Sequence, residues 1–185
     1  MRIISGKAKR IPLAAPKGKN TRPTSDRAKE GLFNIIVTRV ADSSFLDLFC
    51  GSGAIGIEAL SRGAKRAAFV DHSPIAITAL KTNLEKARFG QQAFYLCVKA
   101  SMAIEKFSKE NSRFDIIFLD PPYDENLVAD TLHHIVQARI LAEGGIIVAE
   151  TDTKKIDNFP SSLYLYDCRA YGMTNFLFFE MGAKK

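Results

Sequence analysis

Residues 47–56 read Asp-Leu-Phe-Cys-Gly-Ser-Gly-Ala-Ile-Gly and continue an apolar run that begins at Phe45. Three glycines within six positions predict a tight turn from a buried strand into a helix, because glycine tolerates backbone angles that strain other residues. Without side chains, such a turn can hold a nucleoside cofactor against its backbone. The stretch therefore indicates an α/β protein with a cofactor pocket where its first sheet strand ends.

Strands and helices alternate on both sides of this turn. The hydrophobic patterns predict strands over 45–50, 67–71, 93–98, 114–120 and 145–150, separated by helices over 54–62, 74–87, 101–109 and 125–139. This alternation favours parallel strands covered by helices on both faces. Strands over 163–169 and 175–181 flank Tyr171-Gly-Met-Thr174 and predict an antiparallel hairpin. We expect a Rossmann-like, mostly parallel, seven-stranded sheet that ends in this hairpin.

The basic charge is concentrated at the N-terminus. Residues 1–29 hold nine Lys or Arg and one acid, whereas the whole 185-residue chain has a net charge of only +6. The remaining residues are therefore slightly acidic. We expect residues 1–20 to form a basic arm with a short β-hairpin around Gly6, and residues 21–185 to form one domain. Such an arm favours a polyanionic partner, although a solvated tail is the alternative. A helix capped by Thr24 or Ser25 follows and runs to Val40.

Two cofactor classes fit the glycine turn. Gly51-Ser-Gly-Ala-Ile-Gly56 matches the dinucleotide fingerprint, and Asp71 lies 20 residues after Gly51, where a ribose-binding acid is expected. However, Asp47 would repel the pyrophosphate of NAD, whereas its carboxylate suits the ammonium group of S-adenosylmethionine. A purely structural role for Asp47 is the alternative. The chain also has little room for a dehydrogenase substrate domain. The residues therefore favour a methyl donor.

A second motif, Asp120-Pro-Pro-Tyr123, follows the predicted strand 114–120. An exocyclic amine attacks poorly because its lone pair is delocalised into the ring. Asp120 and the Pro121 carbonyl can accept its two N–H bonds, and Pro121 and Pro122 stiffen the turn. Tyr123 can stack on the base, which must leave its own stack to react. A chance turn is the alternative. With the glycine turn, the motif predicts methylation of an amino nitrogen.

Composition excludes several other classes. The three cysteines lie in strand-like runs at irregular spacing, so neither a disulfide framework nor a metal site is predicted. We expect no bound metal, since no His/Cys/carboxylate cluster has ligand spacing. No apolar run reaches membrane-spanning length, and the N-terminus lacks a secretory signal pattern. The expectation is a cytoplasmic monomer without a membrane partner.

The motifs together resemble the RsmD family of bacterial enzymes that methylate N2 of a guanine in 16S ribosomal RNA. The resemblance covers the whole chain and rests on these stretches: Arg2-Ile-Ile-Ser-Gly6, Arg22-Pro-Thr-Ser-Asp-Arg27, Glu30-Gly-Leu-Phe-Asn34, 47–56, Glu58-Ala-Leu-Ser-Arg-Gly-Ala64 and 120–123. It implies the class I methyltransferase fold, S-adenosylmethionine as donor with S-adenosylhomocysteine as product, and 16S rRNA in an assembled or assembling small subunit as substrate.

The candidate site residues fall into three groups. Catalytic residues are Asp120, Pro121, Pro122 and Tyr123, and cofactor-binding residues are Asp47, Phe49, Gly51, Ser52, Gly53, Gly56, Asp71, His72, Ala100 and Ser101. RNA-binding residues are Lys7, Lys9, Arg10, Lys17, Lys19, Arg22, Thr24 and Arg27. Arg22 and Arg27 could instead brace the active-site wall, and His72 could be a solvated loop residue. Lys99 replaces a polar Asp or Asn of the family, so a backbone contact at Ala100 or Ser101 would bind the adenine.

Two rival functions also fit these motifs. Asp-Pro-Pro-Tyr also suits the N6 amine of adenine, so an adenine-N6 nucleic-acid methyltransferase is the nearest enzyme alternative. A non-catalytic RNA-binding or ribosome-assembly factor is the alternative of a different class. The intact tetrapeptide argues against the second, and a methyl-transfer assay separates all three.

Overall fold

A single seven-stranded sheet organises the chain. The computed structural model describes residues 1–15, 25–122 and 125–182. The strands are β1 Ser44–Asp47, β2 Arg66–Asp71, β3 Ala93–Cys97, β4 Phe114–Leu119, β5 Leu141–Thr151, β6 Leu163–Tyr171 and β7 Thr174–Met181. The helices are α1 Asp26–Ile35, α2 Val37–Val40, α3 Ala54–Ser61, α4 Pro74–Ala87, α5 Ala100–Lys109 and α6 Glu125–Ala138. The strand order is β3-β2-β1-β4-β5-β7-β6, with β7 antiparallel to both of its neighbours. The predicted fold class is confirmed.

Two apolar cores cover the two faces of the sheet. Along β4, Ile116 and Phe118 face one core, which also holds α1, α3 and α4, whereas Ile117 and Leu119 face the other, with α5 and α6. Strands buried on both faces explain the continuous apolar runs in the sequence. The sheet is thereby fixed from both sides, and its strand ends are held rigidly.

One edge of the sheet collects the functional candidates. The carboxyl ends of the parallel strands meet there, which places Asp47, Asp71, Asp120 and Glu150 along one line. The β6–β7 hairpin tip lies at the same edge, because Asn175 at the start of β7 pairs with Thr151 at the end of β5. We call this line of strand ends the carboxyl edge.

The predicted helix 25–40 is divided into α1 and α2 at Ile36. Ser25 caps α1 as predicted, since its Oγ accepts a hydrogen bond from the amide of Ala28 at 3.1 Å. At Ile36 the backbone leaves the helical region, with φ −91° and ψ 12°. Residues 35–38 are a run of four β-branched side chains, which disfavours a continuous helix. Ile36 and Val40 are both buried as a result.

Strand β5 begins earlier than the predicted residue 145. Leu141 already pairs with Phe114, and an irregularity in register follows before Ile146 pairs with Ile116. Gly144 adopts φ +71° within this stretch. The Gly144-Gly145 pair therefore accommodates a bulge inside a strand longer than the predicted one.

The N-terminal residues fold back on themselves and pack against the domain. Arg2 and Pro12 form an antiparallel bridge, and Ile3, Ala8 and Leu13 are buried. The predicted chain reversal around Gly6 is present, with φ +82° at that residue, although it contains only this one bridge. Residues 1–15 are thus part of the main core, while the predicted arm boundary at residue 20 lies outside the described residues.

Glu58 of α3 anchors this segment from inside the protein. Its buried carboxylate accepts hydrogen bonds from the amides of Ile4 and Ser5, at 2.7 and 3.0 Å, and from Arg62 Nε at 2.7 Å. Lys29 Nζ lies 3.5 Å from Glu58 and donates to the carbonyl of Arg2 at 2.6 Å. Burial lowers the pKa of Lys29, and the charge of Glu58 opposes that shift. An N-terminal truncation would leave this buried carboxylate without two of its donors.

Across the described parts of the chain, no helix is both long and apolar enough to span a membrane.

Candidate cofactor and substrate site

The glycines of the turn between β1 and α3 are needed for two different reasons, namely lack of space for a side chain and a backbone angle that favours glycine. A Cβ on Gly53 would lie 2.3 Å from Leu80 Cδ1, and one on Gly56 would lie 2.3 Å from Phe69 Cε1. At Gly51 no atom lies within 4 Å of that position, but the backbone has φ +51°. Gly53 and Gly56 thus make room for the protein's own core, and open space is found at Gly51. The assignment of all three glycines to cofactor binding stays a prediction.

Asp71 holds this turn in place. Its Oδ2 accepts a hydrogen bond from the amide of Gly51 at 2.9 Å, and its Oδ1 accepts one from the amide of Ser73 at 2.8 Å. Each carboxylate oxygen can accept a further hydrogen bond. Asp71 therefore both fixes the loop and remains able to bind a ribose hydroxyl. His72 beside it is exposed, with Nδ1 3.8 Å from Asp71 Oδ1.

Asp47 lies at the end of β1 underneath the turn. Only 1% of the residue is exposed, and its Oδ2 accepts a hydrogen bond from the amide of Gly56 at 3.0 Å. Burial raises the pKa of Asp47 to about 7; the Gly56 hydrogen bond opposes this shift, and the charges of Asp71 and Glu150 add to it. A cation placed near this carboxyl would stabilise its ionised form.

Asp120 follows β4 at the same edge. Burial raises its pKa well above the ordinary value, and the charges of Glu150 and Asp47 raise it further. Pro121 is buried and Pro122 is exposed, so the turn passes from the core to the surface within two residues. Tyr123, the fourth residue of the predicted tetrapeptide, lies outside the described residues.

Glu150 was missing from the predicted site. It ends the run Gly-Gly-Ile-Ile-Val-Ala-Glu of β5, and its charge acts on both Asp47 and Asp120. An acid at the end of an apolar strand is the pattern that identified Asp47, Asp71 and Asp120, so the same signal was available for Glu150. Burial and the charges of the neighbouring acids disfavour the ionisation of Asp47 and Asp120, so a fully ionised carboxyl edge is costly without a cation. Such an edge favours a cationic ligand and disfavours a pyrophosphate.

Asn83 of α4 is a second residue that the sequence analysis missed. Its Nδ2 donates to the carbonyl of Ser52 at 3.0 Å and to the carbonyl of Ala14 at 2.9 Å, while its Oδ1 accepts from the amide of Ala14 at 2.8 Å. The fully buried side chain joins the glycine turn to the N-terminal segment. A single asparagine within an amphipathic helix carries no sequence signal for such a role.

The remaining predicted cofactor residues lie around this turn. Phe49 is half-buried and Ser52 is buried. Ala100 and Ser101 are the first two residues of α5, which begins where β3 reaches the carboxyl edge beside β2. Lys99 precedes them as the N-cap and makes no side-chain capping hydrogen bond.

The predicted RNA-binding residues that the structure describes do not form one continuous surface. Lys7, Lys9 and Arg10 are exposed, but the Lys7 amide bonds to the carbonyl of Ser61, at the end of α3 remote from the carboxyl edge. Arg27 is exposed in the first turn of α1. Lys17, Lys19, Arg22 and Thr24 lie outside the described residues. The structure thus brings Lys7, Lys9 and Arg10 together, away from Asp120.

Among residues 1–15, 25–122 and 125–182, no group of three or more His, Cys, Asp or Glu side chains could hold a metal ion. Burial raises the pKa of the Cys50 thiol, and the charges of Asp47 and Asp71 act in the same direction. That thiol is therefore neutral at physiological pH.

A sheet with this strand order, a glycine turn after β1 and acids along the carboxyl edge define a class I methyltransferase. The family model described as Conserved hypothetical protein 95 matches residues 1–180, and the chain belongs to this family. The predicted resemblance to the RsmD family is confirmed.

Individual relatives cover nearly the whole chain. The Bacillus subtilis protein YlbH is 39% identical over 94% of this chain and 95% of its own. A Haemophilus influenzae protein named Ribosomal RNA small subunit methyltransferase D is 30% identical over 97% of this chain and 93% of its own. The solved structure of yhhF from Escherichia coli superposes with a TM-score of 0.87 at 29% identity, covering 100% of this chain and 99% of that one.

Proposed function

We propose that this protein transfers a methyl group from S-adenosylmethionine to the exocyclic N2 of a guanine in 16S rRNA. The observation that carries the proposal is the position of Asp120 and Asp47, two carboxyls with raised pKa at adjacent strand ends, beside the open turn at Gly51. The name of the Haemophilus relative supports rRNA as the substrate class. Family resemblance, rather than geometry, supports guanine N2.

The residues present fit a cationic nucleoside cofactor. Open space lies over Gly51, and Asp71 retains acceptor capacity beside it for ribose hydroxyls. Asp47 and Asp120 are held in a poorly solvated, negative environment that a positive ligand would relieve. When bound there, S-adenosylmethionine would supply an electrophilic methyl group on a sulfonium sulfur. Ala100 and Ser101 would provide backbone contacts for the adenine.

The chain's own contribution to the reaction is positioning. A bound cation would favour the ionised form of Asp120, and this carboxylate and the Pro121 carbonyl would then accept the two N–H bonds of the target amine and turn its lone pair out of the ring plane. Burial in the protein has already removed most of the hydration of the Asp120 carboxylate. Accepting a hydrogen bond from the target amine therefore costs this carboxylate little further hydration. Pro121 and Pro122 limit the movement of the turn. Tyr123 would stack on the flipped base.

The proposed substrate is the rRNA within an assembled or assembling small subunit. Net charge and the basic residues 1–29 favour a polyanion, and exposed Lys7, Lys9 and Arg10 would add peripheral phosphate contacts. Residues of the glycine turn and of the carboxyl edge would bind only the cofactor and the target base. In this proposal the N-terminal basic residues contribute to RNA affinity, and the carboxyl edge carries out the methyl transfer.

A methyl-transfer assay tests the proposal directly. Purified protein, methyl-labelled S-adenosylmethionine and small subunits lacking the modification should give labelled 16S rRNA and S-adenosylhomocysteine. Nuclease digestion and mass spectrometry should then locate the label in N2-methylguanosine. Label in N6-methyladenosine would favour the adenine enzyme, and RNA binding without label would favour an assembly factor.

A further inference from the structure

A second cleft opens between α1 and the end of β6. It has a volume of about 470 Å³ and is lined by Arg27, Glu30, Gly31, Asn34, Ile35, Arg169 and Tyr171. Residues 27, 31 and 34 follow a spacing of four and three, so they share one face of α1. Arg169 and Tyr171 lie two residues apart on β6 and therefore share one face of the strand. They pair with Phe176 and Thr174 of β7, respectively. Neither the glycine turn nor Asp120 contributes to this cleft.

The tyrosine ring is built into the cleft wall. A Cβ on Gly31 would lie 2.2 Å from Cε1 of Tyr171, so the ring occupies the space that any side chain at position 31 would need. Its other support is Phe176, with ring centroids 5.9 Å apart. The half-buried ring is therefore fixed in orientation while it still lines the open cleft. Fixed, partly exposed aromatic rings are the usual platforms on which nucleobases stack.

Cationic groups flank this ring. Arg169 Nε donates to Asp167 Oδ2 at 2.9 Å, which orients the guanidinium and leaves its terminal nitrogens as further donors. Arg27 is exposed on the opposite wall. Glu30, between them, is the single acid of the lining, which therefore holds two arginines and one acid, while Asp167 pairs with Arg169 from outside the lining. Two arginines beside an aromatic ring match the phosphate and base of one nucleotide.

The cleft lies at the same edge of the sheet as the reacting groups. Tyr171 ends β6 at the hairpin tip, and three strand spacings separate β6 from β4, which corresponds to about 14 Å. A single-stranded segment whose target base reaches Asp120 can therefore place a neighbouring nucleotide at Tyr171.

We propose that the α1–β6 cleft binds a nucleotide of single-stranded RNA next to the methylated one, with its base on Tyr171 and its phosphate at Arg27 and Arg169. This inference rests on the proposed function for the identity of the RNA. It assigns to Arg169 and Tyr171 a part in substrate binding, and it gives the first helix a role in orienting the RNA strand. The remaining polar group, the Asn34 amide, can read a base edge.

RNA affinity, measured apart from methyl transfer, tests the cleft. Arg27→Gln, Arg169→Gln, Tyr171→Leu, Tyr171→Phe and Glu30→Gln are compared by fluorescence anisotropy on a labelled 16S rRNA fragment that contains a single-stranded loop. The matched control is Arg113→Gln, an exposed arginine at the opposite edge of the sheet. Binding of S-adenosylmethionine is measured in parallel and should stay unchanged in every variant.

We expect Tyr171→Leu to weaken RNA binding about tenfold, or about 1.4 kcal/mol, while Tyr171→Phe stays near wild type because it keeps the ring. Each arginine variant should reduce the slope of log affinity against log salt by about 0.7. Glu30→Gln should tighten binding, since it removes a repulsive charge.

The proposal would be overturned if the arginine variants and Tyr171→Leu bound RNA with the same affinity as Arg113→Gln. Weaker RNA binding by Glu30→Gln would also overturn it, since removing a negative charge from a phosphate-binding cleft cannot weaken binding electrostatically. Because affinity is read separately, a wild-type protein that binds RNA through the cleft but transfers no methyl group would refute the proposed function and leave the cleft assignment standing.

Discussion

The carboxylate of Asp47 accepts a hydrogen bond from the amide of Gly56 at 3.0 Å, in a position where only 1% of the residue is exposed. This contact connects the end of β1 to the first turn of α3 and so fixes the glycine turn between them. One hydrogen bond does not compensate for the lost hydration of a carboxylate, and the pKa of Asp47 is raised to about 7. The protein without cofactor thus holds a carboxyl group that is costly to ionise.

Stability without cofactor should therefore fall as pH rises. The unfolded chain ionises Asp47 near pH 4, whereas the folded chain does so only near pH 7, so the folded state binds the extra proton in this window. Asp47→Asn should remove this loss and raise the melting temperature at pH 8. The same substitution should weaken S-adenosylmethionine binding, because the neutral amide no longer attracts a cation. Thermal melts from pH 4 to 8 and calorimetry measure both effects.

Asp157→Asn is the matched control, since Asp157 is exposed and lies outside the strands and helices. It should leave both measurements unchanged. If Asp47→Asn melted at a lower temperature than this control at pH 8, ionisation of Asp47 would not be what destabilises the folded protein.

Asp71 should be required for the shape of the turn as well as for cofactor contacts. Asp71→Ala removes the acceptors for the amides of Gly51 and Ser73, so S-adenosylmethionine affinity should fall by a factor of ten or more, about 1.4 kcal/mol at least. Asp71→Asn keeps one carbonyl acceptor and should bind with intermediate affinity. Calorimetric titration of both variants decides this, and equal affinity of Asp71→Ala and wild type would refute the role.

Asn83 should affect cofactor binding from a distance. Asn83→Ala leaves the Ser52 carbonyl and both backbone groups of Ala14 without their partners, so we expect a loss of unfolding free energy of about 1–3 kcal/mol and weaker S-adenosylmethionine binding. Thr82→Ala is the control, because Thr82 is the exposed neighbour on the same helix. Chemical denaturation and calorimetry should separate the two variants, and indistinguishable behaviour would exclude the coupling.

The N-terminal charges should contribute to RNA affinity without contributing to chemistry. Removing Lys7, Lys9 and Arg10 together by substitution with Gln should reduce the salt slope of RNA binding by about 0.7 per lost phosphate contact and leave kcat nearly unchanged. Deletion of the segment is the wrong experiment, since it would also uncover Glu58 and part of the core. The control replaces Lys65, Lys86 and Lys109, three exposed lysines elsewhere. If the two triple variants had the same dependence of RNA affinity on salt, the N-terminal basic residues would be solvated and would not contact RNA phosphates.

The sequence predicted the sheet well because its signals are local. Apolar runs, glycine turns and the Ser25 cap each depend on a few neighbouring residues, and they located every strand from β1 to β7. The two differences have different causes. The break at Ile36 follows a local run of β-branched residues, whereas the early start of β5 depends on the pairing of Leu141 with Phe114, which neighbouring residues do not reveal.

The candidate site shows the same division. The strand-end positions of Asp47, Asp71 and Asp120 were predictable because each follows an apolar run. The contacts of Asn83 and Tyr171 were not, because their partners lie far away in the sequence. The reason for the glycines at 53 and 56 was also hidden, since Leu80 and Phe69 come from other elements. Residues at strand ends can therefore be predicted from the sequence, whereas the long-range contacts that hold them in place are known only from the folded structure.

Methylation of guanine N2 is tested most directly by the nucleoside composition of 16S rRNA from a strain that lacks this gene and carries either the wild-type gene or Asp120→Ala. We expect one N2-methylguanosine to disappear in the deletion strain and to return with the wild-type gene. With Asp120→Ala it should stay absent, although the variant protein still binds S-adenosylmethionine with nearly wild-type affinity. Restoration of N2-methylguanosine by Asp120→Ala, or an unchanged level in the deletion strain, would contradict the proposed function.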